Sequence, residues 1–211
     1  RSDNWKSVEE MIQILVEITS IGGNLLLNVG PNGDGLMPDG SVVRLRKIGE
    51  WMDKNSESIY ATSPGPFFKL PWGRCTQKDV DGNTKLYLHV FNPPADGILR
   101  VPGLKSDIKE IYLLADENKQ LTYQKDKDDI LVDMTNCDFD KANTVVVVKI
   151  KGTPEIISNK PALSNGRVVL PIEFANIHNP GYEQQAVIEG EGETAFITNW
   201  MNHRVELEWL F

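Results

Sequence analysis

The sequence predicts an α/β piece followed by all-β structure. Three observations carry that prediction. Residues 7–55 pass from helical periodicity to a short apolar run and back to helical periodicity. Helical periodicity does not return after Thr62, where Ser63-Pro64-Gly65-Pro66 and Leu70-Pro71-Trp72-Gly73 punctuate the chain. From there to Ile150, short strand candidates alternate with turn signals.

The α/β piece is organised around Gly22–Pro38. Asn24–Val29 is an apolar run entered through two glycines and left through the polar, glycine-rich loop Pro31–Gly35. Such a run predicts a strand covered on both faces, as in a parallel α/β sheet. In those sheets ligands gather beyond the carboxyl ends of the strands, which is where Asn28 and the loop lie. Before the strand, Ser7-Val8-Glu9-Glu10 has the capping-box pattern, and Val8, Met11, Ile12, Leu15 and Ile18 give one apolar helix face. Gly22 is placed to end that helix in the left-handed conformation. After the loop, Asp39 is the expected N-cap of a second helix with Val42, Leu45, Ile48 and Trp51 or Met52 inward. Arg44, Arg46, Lys47 and Glu50 fall on its outer face, as solvated charge. This one strand cannot make a sheet, so the chain is expected to begin within a domain.

In the β region, Thr84–Phe91 alternates well, and Asp81-Gly82-Asn83 before it predicts a hairpin turn. Gly97–Val101, Ile108–Leu114, Gln120–Gln124, Ile130–Asp133 and Thr144–Ile150 complete the candidates. Their spacing predicts an antiparallel β-sandwich, with the continuously apolar Val145–Val148 as its central strand. Ile157–Gly166 reads as a linker. Beyond it, Val168–Phe174 and Val205–Trp209 read as strands, Asn176–Gly181 as turns, and the whole as an incomplete third piece.

Composition narrows the function. The 211 residues carry 22 basic and 30 acidic side chains, a formal net charge of -8, which disfavours nucleic-acid partners. No apolar run approaches the roughly 18 residues of a membrane helix. Cys75 and Cys137 define neither a disulfide scaffold nor a metal site and read as free thiols. His89, His178 and His203 share no metal spacing; His89 alternates with an apolar face and reads as structural.

Ile21-Gly22-Gly23-Asn24-Leu25-Leu26-Leu27-Asn28-Val29-Gly30-Pro31, followed by Asp34-Gly35 and Pro38, resembles the last barrel strand of the α-L-fucosidases of glycoside hydrolase family 29. Ile48-Gly49-Glu50-Trp51-Met52 and Glu57-Ser58-Ile59-Tyr60-Ala61-Thr62 continue that pattern. The resemblance implies that residues 1–66 are the carboxyl-terminal end of a (β/α)8-type barrel, 67–155 the sandwich, and 156–211 the start of an additional carbohydrate-binding-like β domain. It implies a retaining, exo-acting enzyme that removes terminal α-L-fucose from glycans, without metal or cofactor, in the periplasm or outside the cell. Retention needs two carboxyls, a nucleophile and an acid/base. The resemblance puts both upstream of Arg1, so no catalytic residue is assigned here. Glu9 and Glu10 belong to a helix cap and Asp34 to a turn.

Four residues remain as candidate substrate contacts. Asn28 and Asn32, at the ligand end of the strand, can hydrogen-bond sugar hydroxyls or brace a neighbouring loop. Tyr182 and Trp200 in the third piece can stack on sugar faces if that piece binds glycans. Trp5 either packs against the barrel or reaches the pocket rim. The competing readings are a carbohydrate-binding module and a purely structural β-sandwich. The helix-strand-helix of residues 7–55 argues against the first of these, because a free-standing binding module has no use for a lone barrel strand.

Overall fold

The computed structural model describes residues 5–67 and 70–157 and, beyond them, residues 163–164, 167–168, 170, 172, 175–178, 186–190, 194–200 and 205–208. The chain divides into two compact units, 1–157 and 158–211.

The first unit opens with helix α1, Val8–Ser20. Its start is the expected capping box: Ser7 Oγ accepts from the Glu10 amide at 3.0 Å, and Glu10 Oε2 accepts from the Ser7 amide at 2.7 Å. Its end is a glycine cap: Gly22 at φ +81° lets its own amide reach Thr19 O and the Gly23 amide reach Ile18 O. Helix α2 spans Asp39–Asn55, with Pro38 rather than Asp39 at the N-cap. One 3-10 turn, Ser56–Ser58, leads out of it.

Nine strands follow: β1 Ser63–Pro64, β2 Gly73–Val80, β3 Asn83–Val90, β4 Ile98–Val101, β5 Ile108–Leu113, β6 Asp116–Gln120, β7 Tyr123–Asp126, β8 Asp129–Asp133 and β9 Thr144–Lys151. They form a six-stranded sheet in the order β1-β2-β3-β9-β5-β6 and a three-stranded sheet in the order β4-β8-β7, both antiparallel. The β2–β3 hairpin turns through Asp81 and Gly82, both at positive φ as a two-residue type I′ turn requires.

The two sheets enclose one core, in which Leu86, Leu88, Val146 and Val148 of the larger meet Leu99, Val132 and their neighbours from the smaller. On the other side of the large sheet, Tyr87, Tyr112, Val145 and Val147 pack with Ile12 and Val16 of α1 and Trp51 of α2. Strand β9 therefore has helices on one face and a second sheet on the other. That double cover explains its unbroken apolar sequence. Side chains bolt the helices down: Trp51 Nε1 donates to Asn143 O at 3.0 Å, and Gln13 Nε2 donates to Ala142 O at 3.2 Å.

Three expectations are corrected here, and one strand was not anticipated. Asn24–Val29 belongs to no strand and has no ladder partner among the described residues, and Leu26 is 83% exposed. Only Leu25 and Val29 of the run are half-covered; Asn24, Leu26, Leu27 and Asn28 are exposed. Gln120–Gln124 is not one strand. The chain leaves the large sheet at Gln120 and enters the small one at Tyr123, with the Leu121 amide bonded to Ile111 O and Thr122 O accepting from the Asp133 amide. Gly73–Val80, which offers little apolar alternation, is strand β2, held by its register with β3. In α2 the buried residues are Ser41, Trp51 and Asn55, while Leu45 is exposed.

In the second unit the described strands are β10 Leu163–Ser164, β11 Arg167–Val168, β12 Asn176–His178, β13 Val187–Glu189, β14 Phe196–Thr198 and β15 Glu206–Glu208. They pair antiparallel as β10–β11, β12–β15 and β13–β14. Asn176–His178 is thus paired strand rather than turn, with Ile177 opposite Leu207. Most of the Val168–Phe174 segment lies outside the described residues.

Candidate functional site

Asn28 lines a small pocket of about 190 Å³ with Trp5, Leu27, Val29, Arg44 and Leu45 among its walls. Four elements build it: the segment before α1, α1 itself through Met11, the run after it and the amino-terminal half of α2. Arg44 closes one side. Its guanidinium carbon sits 5.0 Å from the centroid of the Trp5 ring, its Nε donates to Lys6 O at 3.0 Å, and its Nη1 donates to Gly40 O at 3.0 Å. The expectation that Arg44 is merely solvated charge is therefore corrected. No local sequence signal links residues 39 positions apart, so the clamp was not legible before folding.

Asn32 is not part of that pocket's lining. Its Oδ1 accepts from the amides of Asp34 at 3.0 Å and Leu36 at 2.9 Å, so the side chain braces the loop that follows the extended run. Trp200 belongs to the second unit and is 48% exposed. Tyr182 lies outside the described residues, as does His203.

Among the described residues, the carboxyls whose pKa departs from the ordinary value are all lowered. Glu9 is held below the ordinary range by a backbone hydrogen bond and by Ser7. Burial raises Glu57, but hydrogen bonds from Lys85 at 2.7 Å and Tyr87 at 2.6 Å outweigh it and lower its pKa. Asp133 is lowered by Thr135. None of these is the raised carboxyl that a general acid requires. Among the described residues no three His, Cys, Asp or Glu side chains cluster as a metal site would need. Cys75 and Cys137 are free thiols, and burial pushes the pKa of both upward.

His89 is buried completely, and desolvation pushes its pKa down to about 3. Its tautomer follows from its neighbours. Thr76 Oγ1 donates to Ser58 O at 2.7 Å, so it must accept at 3.1 Å from His89 Nε2–H. His89 Nδ1 then accepts from Asn143 Nδ2 at 2.9 Å. The imidazole is neutral and ties three segments together, the structural role expected of it.

The sequence model of the alpha-L-fucosidase family matches residues 1–57. The α-L-fucosidase of Dictyostelium discoideum is 38% identical over 100 residues, which are 47% of this chain and 21% of that protein. The chain is a relative of the alpha-L-fucosidases. Human tissue α-L-fucosidase is 34% identical over 94 residues, 44% of this chain and 20% of its own length. Among solved fucosidases, isoenzyme 1 from Paenibacillus thiaminolyticus superposes with a TM-score of 0.64 at 33% identity, over 71% of this chain and 36% of that one. A glycoside hydrolase family 29 fucosidase from Bacteroides thetaiotaomicron, trapped as a covalent intermediate with 2-fluoro-fucosyl fluoride, superposes with a TM-score of 0.63 at 26% identity, over 71% and 33%. The alignments thus span about a fifth of the curated fucosidases and about a third of the solved ones.

Proposed function

We propose that the chain is the carboxyl-terminal portion of a retaining, exo-acting α-L-fucosidase that hydrolyses terminal α-L-fucose from glycans, with its catalytic carboxylates upstream of Arg1. The observation that carries this reading is the family match over residues 1–57, the segment that holds α1, the extended run and α2. The exposure of the run is compatible with it: Leu25 and Val29 are half-covered, while Asn24, Leu26, Leu27 and Asn28 are exposed, as a barrel strand without its neighbours would be.

In this reading residues 1–66 complete the barrel, 67–155 form a β-sandwich against its last helices, and 156–211 begin a further β domain. Asn28 sits at the rim of the sugar pocket and Asn32 supports the loop beside it. Tyr182 and Trp200 contact glycan in the third piece. The mechanism is double displacement: one carboxylate forms a fucosyl-enzyme while a second protonates the leaving oxygen, then activates water. The covalent intermediate trapped in the Bacteroides thetaiotaomicron fucosidase is the species such a route passes through. The compartment is the periplasm or the cell exterior, where fucosylated glycans are met.

The test is an assay on p-nitrophenyl α-L-fucoside with the 211-residue chain and with the protein extended upstream to a whole barrel. Activity only in the extended protein, with α-fucose as the first anomer released, is expected. No activity in either protein would overturn the assignment, and β-fucose as first product would overturn retention.

A further inference from the structure

The loop of residues 30–37 is exposed along its whole length. It carries Asn32-Gly33 and Asp34-Gly35, two pairs in which a glycine amide can attack the side-chain carbonyl before it and close a five-membered ring. The hydrogen bonds of the loop separate the two pairs. The Gly35 amide is occupied, donating to Asn32 O at 3.0 Å. The Gly33 amide makes no hydrogen bond among the described residues, and nothing lies within 4 Å of the place where a Cβ would stand. The nucleophile is therefore neither tied up nor hindered at Gly33.

The electrophile is prepared as well. Asn32 Oδ1 accepts from the amides of Asp34 at 3.0 Å and Leu36 at 2.9 Å. Two donors on one carbonyl oxygen draw electrons from Cγ, and they stabilise the negative charge that grows on Oδ1 as a nucleophile adds. Nδ2, the group that would leave, has no partner among the described residues and sits in a solvated loop.

We propose that Asn32 is a site of spontaneous deamidation, with the Gly33 amide as nucleophile and water as co-reactant. The Gly33 nitrogen gives its proton to hydroxide and bonds to Asn32 Cγ. The Cγ–Nδ2 bond breaks, and ammonia leaves with a proton taken from water. Water then opens the succinimide. Opening at Cγ gives aspartate; opening at the former backbone carbonyl carbon gives isoaspartate, in which the main chain runs through the side chain. In sum one water is consumed, one ammonia is released and the loop gains a negative charge. Aspartate keeps an acceptor for the Asp34 and Leu36 amides, whereas isoaspartate diverts the chain and undoes that brace. The proposal does not rest on the fucosidase reading, and its test involves no hydrolysis of sugar.

The experiment incubates the 211-residue chain for days in mildly alkaline buffer and follows each asparagine by tandem mass spectrometry. Asn32 is expected to convert ahead of every other described asparagine, to two products of equal mass that chromatography resolves, at a rate that rises with pH. A peptide of residues 29–37 gives the rate without the fold, and the folded chain should match or exceed it. Gly33→Ala fits the open space at a position that is not left-handed, so it should leave the melting temperature unchanged and slow the conversion several-fold. Three results would each overturn the proposal: Asn32 converting no faster than Asn24 or Asn28, a folded chain many-fold slower than the peptide, or Gly33→Ala converting at the wild-type rate.

Discussion

Asn24–Val29 and Val145–Val148 are both short, nearly unbroken apolar runs, yet the structure treats them oppositely. In β9 all four valines are buried, at 2% exposure or less, between the helices and the small sheet. In the first run Leu26 is 83% and Leu27 43% exposed. An apolar run therefore states a demand for cover on both faces, and whether the demand is met depends on layers contributed from elsewhere. For β9 those layers come from within residues 1–157. For 24–29 only one side is approached, by the helices.

The comparison breaks most sharply under a buried charge. Val147 is 0% exposed and faces the helices, so Val147→Asp places an unpaired carboxylate in the core. A loss of about 4 kcal/mol or outright unfolding is expected. Leu26→Ser, in an equally apolar stretch, should change the stability of this chain by no more than about 0.5 kcal/mol. Urea unfolding of the two variants decides. A large loss in Leu26→Ser would show that the run is covered in solution.

A second test uses pH and the network beside β9. The His89 pKa is lowered from 6.5 to about 3, so between these values the unfolded chain binds a proton that the folded chain refuses. Stability is then lost as pH falls through 6.5 toward 3, by about 1.4 kcal/mol per pH unit from this group alone. His89→Leu should lower stability near neutrality, where it strands Asn143 and Thr76, but flatten the slope in that window. Parallel slopes for wild type and variant would overturn the neutral, buried assignment.

What was legible in the sequence follows the same division between local and assembled features. The capping box of Ser7 and Glu10, the cap at Gly22, the turn at Asp81-Gly82 and the centrality of Val145–Val148 were readable because neighbours in sequence decide them. Strand β2 was not, since its place depends on pairing with β3 rather than on its own pattern. Nor was the break at Leu121-Thr122, where the chain changes sheets. Around the candidate site, the bracing role of Asn32 was within reach because its turn closes within four residues. The Arg44–Trp5 clamp was not, because it arises only when distant segments meet.

The smallest expected effect separates a locally capped element that serves the core from one that serves an exposed loop. Ser7→Ala removes an N-cap acceptor from α1, and α1 supplies Ile12 and Val16 to the face of the sheet that holds Val145 and Val147. Fraying of its first turn loosens that cover, so a loss of about 1 kcal/mol is expected. Asn32→Ala removes two amide acceptances of similar length, at 3.0 and 2.9 Å, but in a loop whose residues are exposed. Water replaces them there, and global stability should change by no more than about 0.5 kcal/mol. Chemical denaturation of the pair reads the difference. Equal losses would mean that the 32–36 loop folds with the core, and the contrast between β9 and the exposed run would then be one of surface rather than of stability.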